Sequence, residues 1–371
     1  MATRRSILLG TLGGAALAAG GGAAWFRIAR GSAADYEARA SALRRIFDPE
    51  DASPKLWDEI VRYATLAANS HNTQPWRFAW IESELEIAPD FARRTPAVDP
   101  DDHHLYASLG CALENLLLAG QAAGLRLVPR FADGAIRVAP EPAKPATDWL
   151  FDAIPHRQST RGPFEGGTLK AEEQKLLEET PLGGGVEGVT VKLFADRASI
   201  AAVRDYVIEG NARQMADAAF MAELKQWIRF SYGEALRTGD GLFGVVSGNP
   251  ALPEGLGKLI LPYVFTVDGE TEKYRAQIDG SSAIAVISAA SDDPAGWVQA
   301  GRASQRLQLA ATAMGLKTSF VNQPVEVQSM RGAFAAWAGL GVRRPDLVLR
   351  IGRGAALPYA LRRPVAEVFA G

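Results

Sequence analysis

The sequence predicts an α+β fold in which two similar halves of one chain pack together as an internally duplicated pseudodimer. Three observations predict it. A helical pattern of apolar and small residues recurs at an offset of 191 residues, each copy stops at a Gly-Leu pair, and each leads into strand-like runs. The 371 residues are 47% apolar and 22% charged, enough for a large core in about two domain-sized units. Forty Lys and Arg stand against 42 Asp and Glu, and the net charge of −2 argues against a nucleic-acid binder. Cys111 is the single cysteine, which excludes an intrachain disulfide and cysteine-based zinc or iron–sulfur sites.

The chain opens on an address. Thr3-Arg4-Arg5-Ser6-Ile7-Leu8 resembles the bacterial twin-arginine export signal, and an uncharged Gly/Ala-rich stretch runs from Ser6 to Phe26. Residues 1–34 are therefore set apart from the fold. Export by the twin-arginine machinery is expected, to the periplasm or to an anchor at the outer face of the cytoplasmic membrane. Arg27 and Arg30 follow the stretch without a sharp cleavage site, so cleavage and retention both stay open. That route carries folded proteins, often with a cofactor already bound.

The first half spans 35–150. A helix over 54–68 runs into a polar turn, and a strand over 77–81 runs out. Asp101-Asp102-His103-His104 reads as the entry to the next helix, because adjacent residues point apart and rarely chelate one ion; no metal site is expected. That helix includes Ala107 to Gly124. From Gly110/Gly301 to Arg126/Lys317, eight of seventeen positions are identical between the two copies. Cys111 lies on its apolar face and reads as buried and inert. Strand starts follow at 127–131 and 318–321, and later strands at 135–139 and 346–352. Pro140, Pro142 and Pro145 punctuate the join. The second half spans 151–371, with an insertion over about 196–267. There Ala201 to Thr238 has helical periodicity, and a Gly/Pro-rich stretch from Gly239 to Pro262 suits a lid.

Three motifs carry chemistry. In Asn69-Ser70-His71-Asn72-Thr73-Gln74-Pro75-Trp76, a turn presents amides and a hydroxyl to a polar heterocycle, stiffened by Pro75-Trp76. In Arg157-Gln158-Ser159-Thr160-Arg161, alternation in an extended segment aims two guanidinium forks and a hydroxyl one way, which suits a phosphate. Arg362-Arg363-Pro364 adds paired arginines near the C-terminus. No P-loop and no Gly-x-Gly-x-x-Gly after a strand appears, which disfavours a Rossmann dehydrogenase.

Together and in this order, the motifs resemble the nitroreductase family of FMN flavoproteins, from about residue 40 to 371. The leader and the fused halves look most like its Acg subgroup, in which one chain mimics the usual dimer. The resemblance implies FMN as cofactor, with Arg157, Ser159 and Arg161 and either Arg362 or Arg363 at its phosphate and ribityl chain. It places Ser70, Asn72 and Gln74 by the isoalloxazine. Each half keeps a motif that the other lacks, so one FMN site per chain and a monomer are expected. The implied activity is flavin-mediated electron or hydride transfer between a small-molecule donor such as NAD(P)H and an unknown acceptor. The flavin carries the chemistry, and no side chain has to act as nucleophile. The alternative is an FMN-sequestering protein whose lid leaves little or no NAD(P)H turnover, and export away from cytoplasmic NAD(P)H favours it.

Overall fold

The computed structural model describes residues 20–48 and 55–370, so Arg4 and Arg5 of the leader lie outside the described residues. Among the described residues no helix is long and apolar enough to cross a membrane.

Two helices of twenty residues, His103–Ala122 and Pro294–Ala313, form the centre, and nearly every side chain in both is buried. Their starts are fixed by side-chain oxygens. Asp99 accepts the N–H groups of His104 and Leu105 at 3.0 Å each, and Asp293 accepts that of Gly296 at 2.8 Å. Their stops are Gly124 and Gly315, both at positive φ, where a side chain would be strained. The two helices meet backbone to backbone. A Cβ built on Gly110 would strike the carbonyl of Val298, and one built on Gly301 would strike that of Ala107. These contacts are reciprocal, because Val298 lies 191 residues after Ala107 and Gly301 lies 191 after Gly110.

A sheet flanks each helix. Strands β1 (Trp76–Ile81), β2 (Glu84–Pro89), β3 (Leu125–Ala132) and β4 (Ala135–Pro142) pair antiparallel in the order β1-β2-β4-β3. In the second half, β5 (Val189–Phe194) is followed by the two-residue strands β6 (Ile228–Arg229) and β7 (Leu242–Phe243), which pair parallel with each other. With β8 (Ala283–Ala289), β9 (Lys317–Phe320) and β10 (Leu347–Gly352), β5 forms an antiparallel sheet in the order β5-β8-β10-β9. Both sheets therefore share one topology: two strands, a central helix, two strands. The last strand, β11 (Phe369–Ala370), crosses back to pair parallel with β1, so the C-terminus locks the halves together.

The insertion interrupts what is a tight hairpin in the first half, between β5 and β8. It differs in two ways from the sequence expectation. The periodic run over 201–238 breaks into the helices Arg197–Ala216, Ala218–Trp227 and Tyr232–Thr238, because Asp217 and Ser231 each cap a new start with their side chains. The Gly/Pro stretch is not all loop. Glu254–Val264 is a helix, and Pro262, which cannot donate to the carbonyl of Lys258, falls in its last turn, just before the helix ends.

The central contact leaves no room for a side chain. Gly301→Leu is expected to lower the unfolding free energy by about 3 kcal/mol or more, read by denaturant titration, whereas exposed Val342→Ala stays within about 0.5 kcal/mol.

Candidate functional site

The local backbone around the first motif is strained. His71, Asn72 and Gln74 all adopt φ near +50°, which for residues other than glycine costs on the order of 1–3 kcal/mol each. Surrounding bonds enforce the shape. Asn69 Oδ1 accepts the Gln74 N–H at 2.9 Å, and the Thr73 N–H reaches Ser70 O at 2.8 Å. Asn72 Nδ2 donates to Gly241 O and Leu361 O, while Gln74 Nε2 donates to Gly239 O and its Oε1 accepts the Arg363 N–H. The amides of Asn72 and Gln74 are thus spent on the chain itself and clamp the turn to the insertion and the C-terminal loop. The sequence reading has them by a heterocycle; in the structure their side chains bond the chain. Ser70 and His71 face the space in front.

That space is a cavity of about 480 Å³, within the usual range for cofactor pockets. One wall is polar, with Ser70, His71, His104, Arg161, Tyr274 and Glu326. The other comes from the insertion and is largely apolar, including Phe220, Leu224, Phe230, Leu261 and Phe265. Burial pushes the His71 imidazole down to about 4, with the Arg161 charge adding to the effect. Cys111 also lines the cavity, and burial pushes its thiol up to about 12.

The second motif divides. Its segment is not a strand; Ser159 and Thr318 form an isolated bridge, so alternation does not aim the three side chains together. Arg161 lines the cavity, Ser159 is half-buried, and Arg157 is buried behind Cys111. Arg350 holds the segment in place, donating to Thr160 O at 2.8 Å and Gly162 O at 2.7 Å. The structure also separates the C-terminal pair. Arg362 is buried and donates to Thr65 O at 2.6 Å, Ala67 O at 3.0 Å and Asn72 Oδ1 at 3.0 Å. Arg363 is partly buried and turns to Glu367.

Arg157 and Arg362 converge with a third arginine that the motifs did not reveal. Arg44 follows the helix Ala33–Leu43 and stacks on Tyr359 at 4.1 Å. Burial lowers all three guanidinium pKa values, Arg44 to about 9 and Arg157 to about 10, and the Arg157 charge lowers Arg44 further. No salt bridge to any of the three is found among the described residues. Arg44 Nε and Nη1 and Arg157 Nε are buried without a hydrogen-bond partner. Carbonyls at the end of the helix Leu56–Thr65 take part of the charge. The remaining donors are free to meet an anion. Only the three-dimensional packing of the N-terminal helix reveals Arg44, since no spacing links it to Arg157.

The opposite flank of the central helices holds a second cavity of about 380 Å³, lined in part by Ala295, Val298, Gln299 and Arg302. Each lies 191 residues after a lining residue of the first cavity: His104, Ala107, Ser108 and Cys111. Beside this second cavity, buried Glu114 binds Arg302 at 3.0 Å and Arg306 at 2.6 Å. Both arginines also hold the carbonyls of the turn after the helix Ala171–Glu179. Asp99, His103 and His104 cluster as well, but Asp99 is committed to capping, and His103 Nε2 is 2.8 Å from Asp346. Burial raises the Asp346 carboxyl to about 7 and pushes the His103 imidazole well down.

The arginine cluster predicts anion binding in the cofactor-free protein. At ten times its Kd, inorganic phosphate is expected to raise the melting temperature by about 2 °C or more, and Arg44→Ala to remove most of that rise in the same thermal scan.

No family model matches the chain. A Mycobacterium tuberculosis (strain H37Rv) protein named “Putative NAD(P)H nitroreductase” is 26% identical over 327 residues, covering 83% of this chain and 89% of its own. “Putative NAD(P)H nitroreductase acg” of the same organism is 26% identical over 330 residues, covering 83% of this chain and 93% of its own. Among solved structures, an FMN-bound nitroreductase from Desulfitobacterium hafniense superposes with a TM-score of 0.36 at 12% identity, over 59% of this chain and 96% of that one. The nitroreductase NfnB from Mycobacterium smegmatis, in complex with NADPH, gives 0.35 at 14% identity over 56% and 87%. The resemblance read from three short motifs is thus met by similarity along most of the chain to nitroreductases of the NAD(P)H type, Acg among them.

Proposed function

We propose that this chain is an FMN-dependent oxidoreductase of the nitroreductase type that holds one flavin between its two halves. The observation that carries this reading is the buried Arg44–Arg157–Arg362 cluster, without a carboxylate partner among the described residues, behind the Cys111 wall of a cofactor-sized cavity. Charges buried this way are costly unless an anion offsets them. A flavin phosphate fits there, and the relatives' names supply the activity class.

The duplication supports a single site. Two sheets of one topology, reciprocal glycine contacts and paired cavities are what a fused dimer would retain. At the second cavity, Glu114 pairs with both Arg302 and Arg306, so these arginines are already engaged within the protein. The counterparts of Arg302, Glu114 and Arg306 by the same offset in the first site are Cys111, Gln305 and Asn115. There Gln305 accepts the Ala68 N–H and donates to Asn115 Oδ1. The second site is thus degenerate, and a monomer follows, since both halves are already present.

When bound, FMN supplies hydride transfer. The chain's own residues do the rest. Arg44, Arg157 and Arg362 hold the phosphate, and Ser70 and Arg161 lie where the ring system would be oriented. The strained turn fixes Ser70 through its N–H to Ser108 Oγ at 3.2 Å. The apolar wall excludes water. That wall also favours the second reading, a sequestering protein with slow turnover, because insertion residues line much of the cavity. Export to the periplasm or the outer membrane face rests on the leader sequence alone.

Titration of FMN into the purified apoprotein, followed by flavin fluorescence quenching, should end at one equivalent per chain. Arg157→Ala is expected to weaken binding at least tenfold; two equivalents, or unchanged affinity, contradicts the reading. The lid is tested by the Ile260→Ala, Leu261→Ala, Val264→Ala triple variant, expected to be reduced by NADPH several-fold faster than the parent protein.

A further inference from the structure

The polar wall of the cavity contains a histidine that the flavin reading leaves without a task. His104 is 5% exposed and sits in the first turn of the helix His103–Ala122. Its backbone N–H is held by Asp99 Oδ1 at 3.0 Å, and the same oxygen lies 3.4 Å from its Nδ1. The ring is thereby fixed with Nε2 on the far side. Nε2 is buried and has no hydrogen-bond partner, and His104 lines the cavity. A buried N–H without an acceptor is costly and is usually satisfied by something.

The neighbours decide its charge. Asp99 faces it from the preceding loop, and His103 packs edge-on with ring centroids 4.7 Å apart. Glu326 faces it from the short helix Gln323–Glu326, Arg344 from the loop before β10, and His71 from the strained turn. Burial disfavours the imidazolium, and Arg344 adds to that effect. The hydrogen bond and charge of Asp99 outweigh both, with Glu326 assisting, and hold His104 above its ordinary value. Burial raises Glu326 in turn, against the His104 and Arg331 charges and the 2.6 Å bond from Gln214 Nε2. The wall thus holds a histidine whose charged form is favoured, beside a carboxyl that burial shifts toward its protonated form.

We infer that His104 is the proton donor to a flat acceptor, such as a quinone, reduced in this cavity. The inference rests on the flavin reading above. The apolar insertion wall suits a flat acceptor, and His104 Nε2 is an unpaired ring nitrogen in the polar wall opposite it. The balance is simple. A quinone takes two electrons and one hydrogen as hydride from reduced flavin, and one proton from His104 Nε2, and leaves as a hydroquinone. The imidazole regains its proton from water. Asp99 is a positioning residue, since it acts only through the ring.

The test uses the purified full chain and 1,4-naphthoquinone. In 15N-imidazole NMR, the resonance missing from His104→Gln should titrate above about 6.5, and its Nε2 signal should shift when the quinone is added. Glu326→Gln should lower that midpoint while leaving quinone binding in place. In flavin-loaded protein, His104→Gln should slow oxidation of reduced flavin by the quinone at least tenfold and abolish its decline with rising pH, while FMN affinity and reduction stay unchanged. A His104 that is neutral throughout pH 5–8, that ignores the quinone, or whose loss leaves the oxidation rate and pH profile intact overturns the inference. Failure to bind FMN overturns the flavin reading instead, and the NMR result then still decides whether the wall binds a quinone through His104.

Discussion

The contact of Gly110 with Val298 and of Gly301 with Ala107 is the constraint on which the remaining architecture depends. Two helix backbones can approach this closely only where no Cβ intervenes. The approach fixes the crossing point, and the crossing point fixes which residues emerge on either flank. His104, Ala107, Ser108 and Cys111 emerge on one side, and Ala295, Val298, Gln299 and Arg302 on the other. A pair of related pockets is therefore a geometric consequence of the helix contact.

What distinguishes the flanks is electrostatic. On one, three guanidiniums are buried, Arg157 and Arg362 with carbonyls as partners and Arg44 stacked on Tyr359, and several of their N–H groups are unpaired. On the other, Glu114 sits between Arg302 and Arg306 and supplies each with a carboxylate partner. The same scaffold thus holds one arginine cluster without a carboxylate among the described residues and one with. The strained turn adds a second asymmetry. Asn72 and Gln74 reach across to residues far away in sequence, so the insertion and the C-terminal loop are built into the site.

Much of this was legible in the sequence, for physical reasons. The central helices were visible because burial on all sides demands small and apolar residues at helical spacing, and because Gly124 and Gly315 mark their stops. The strands after them were visible through apolar runs such as Leu347 to Gly352. The strained turn was visible as a site, but the bonds of Asn72 and Gln74 to Gly241, Gly239 and Arg363 were not. Composition does not encode the positive φ of His71, Asn72 and Gln74. Arg44 was invisible, since its relation to Arg157 and Arg362 exists only once the N-terminal helix has packed. The helix Glu254–Val264 was hidden by its glycines and Pro262, and Glu114 by an apolar helical context that gave no sign of two arginines 188 and 192 residues away.

The central claim is that the cavity beside the arginine cluster holds a flavin that reacts. The most direct measurement is the visible absorption spectrum of the purified protein, recorded anaerobically before and after NADPH is added. The account predicts flavin bands that bleach on reduction. Protein that carries no flavin bands after production with ample FMN would contradict it.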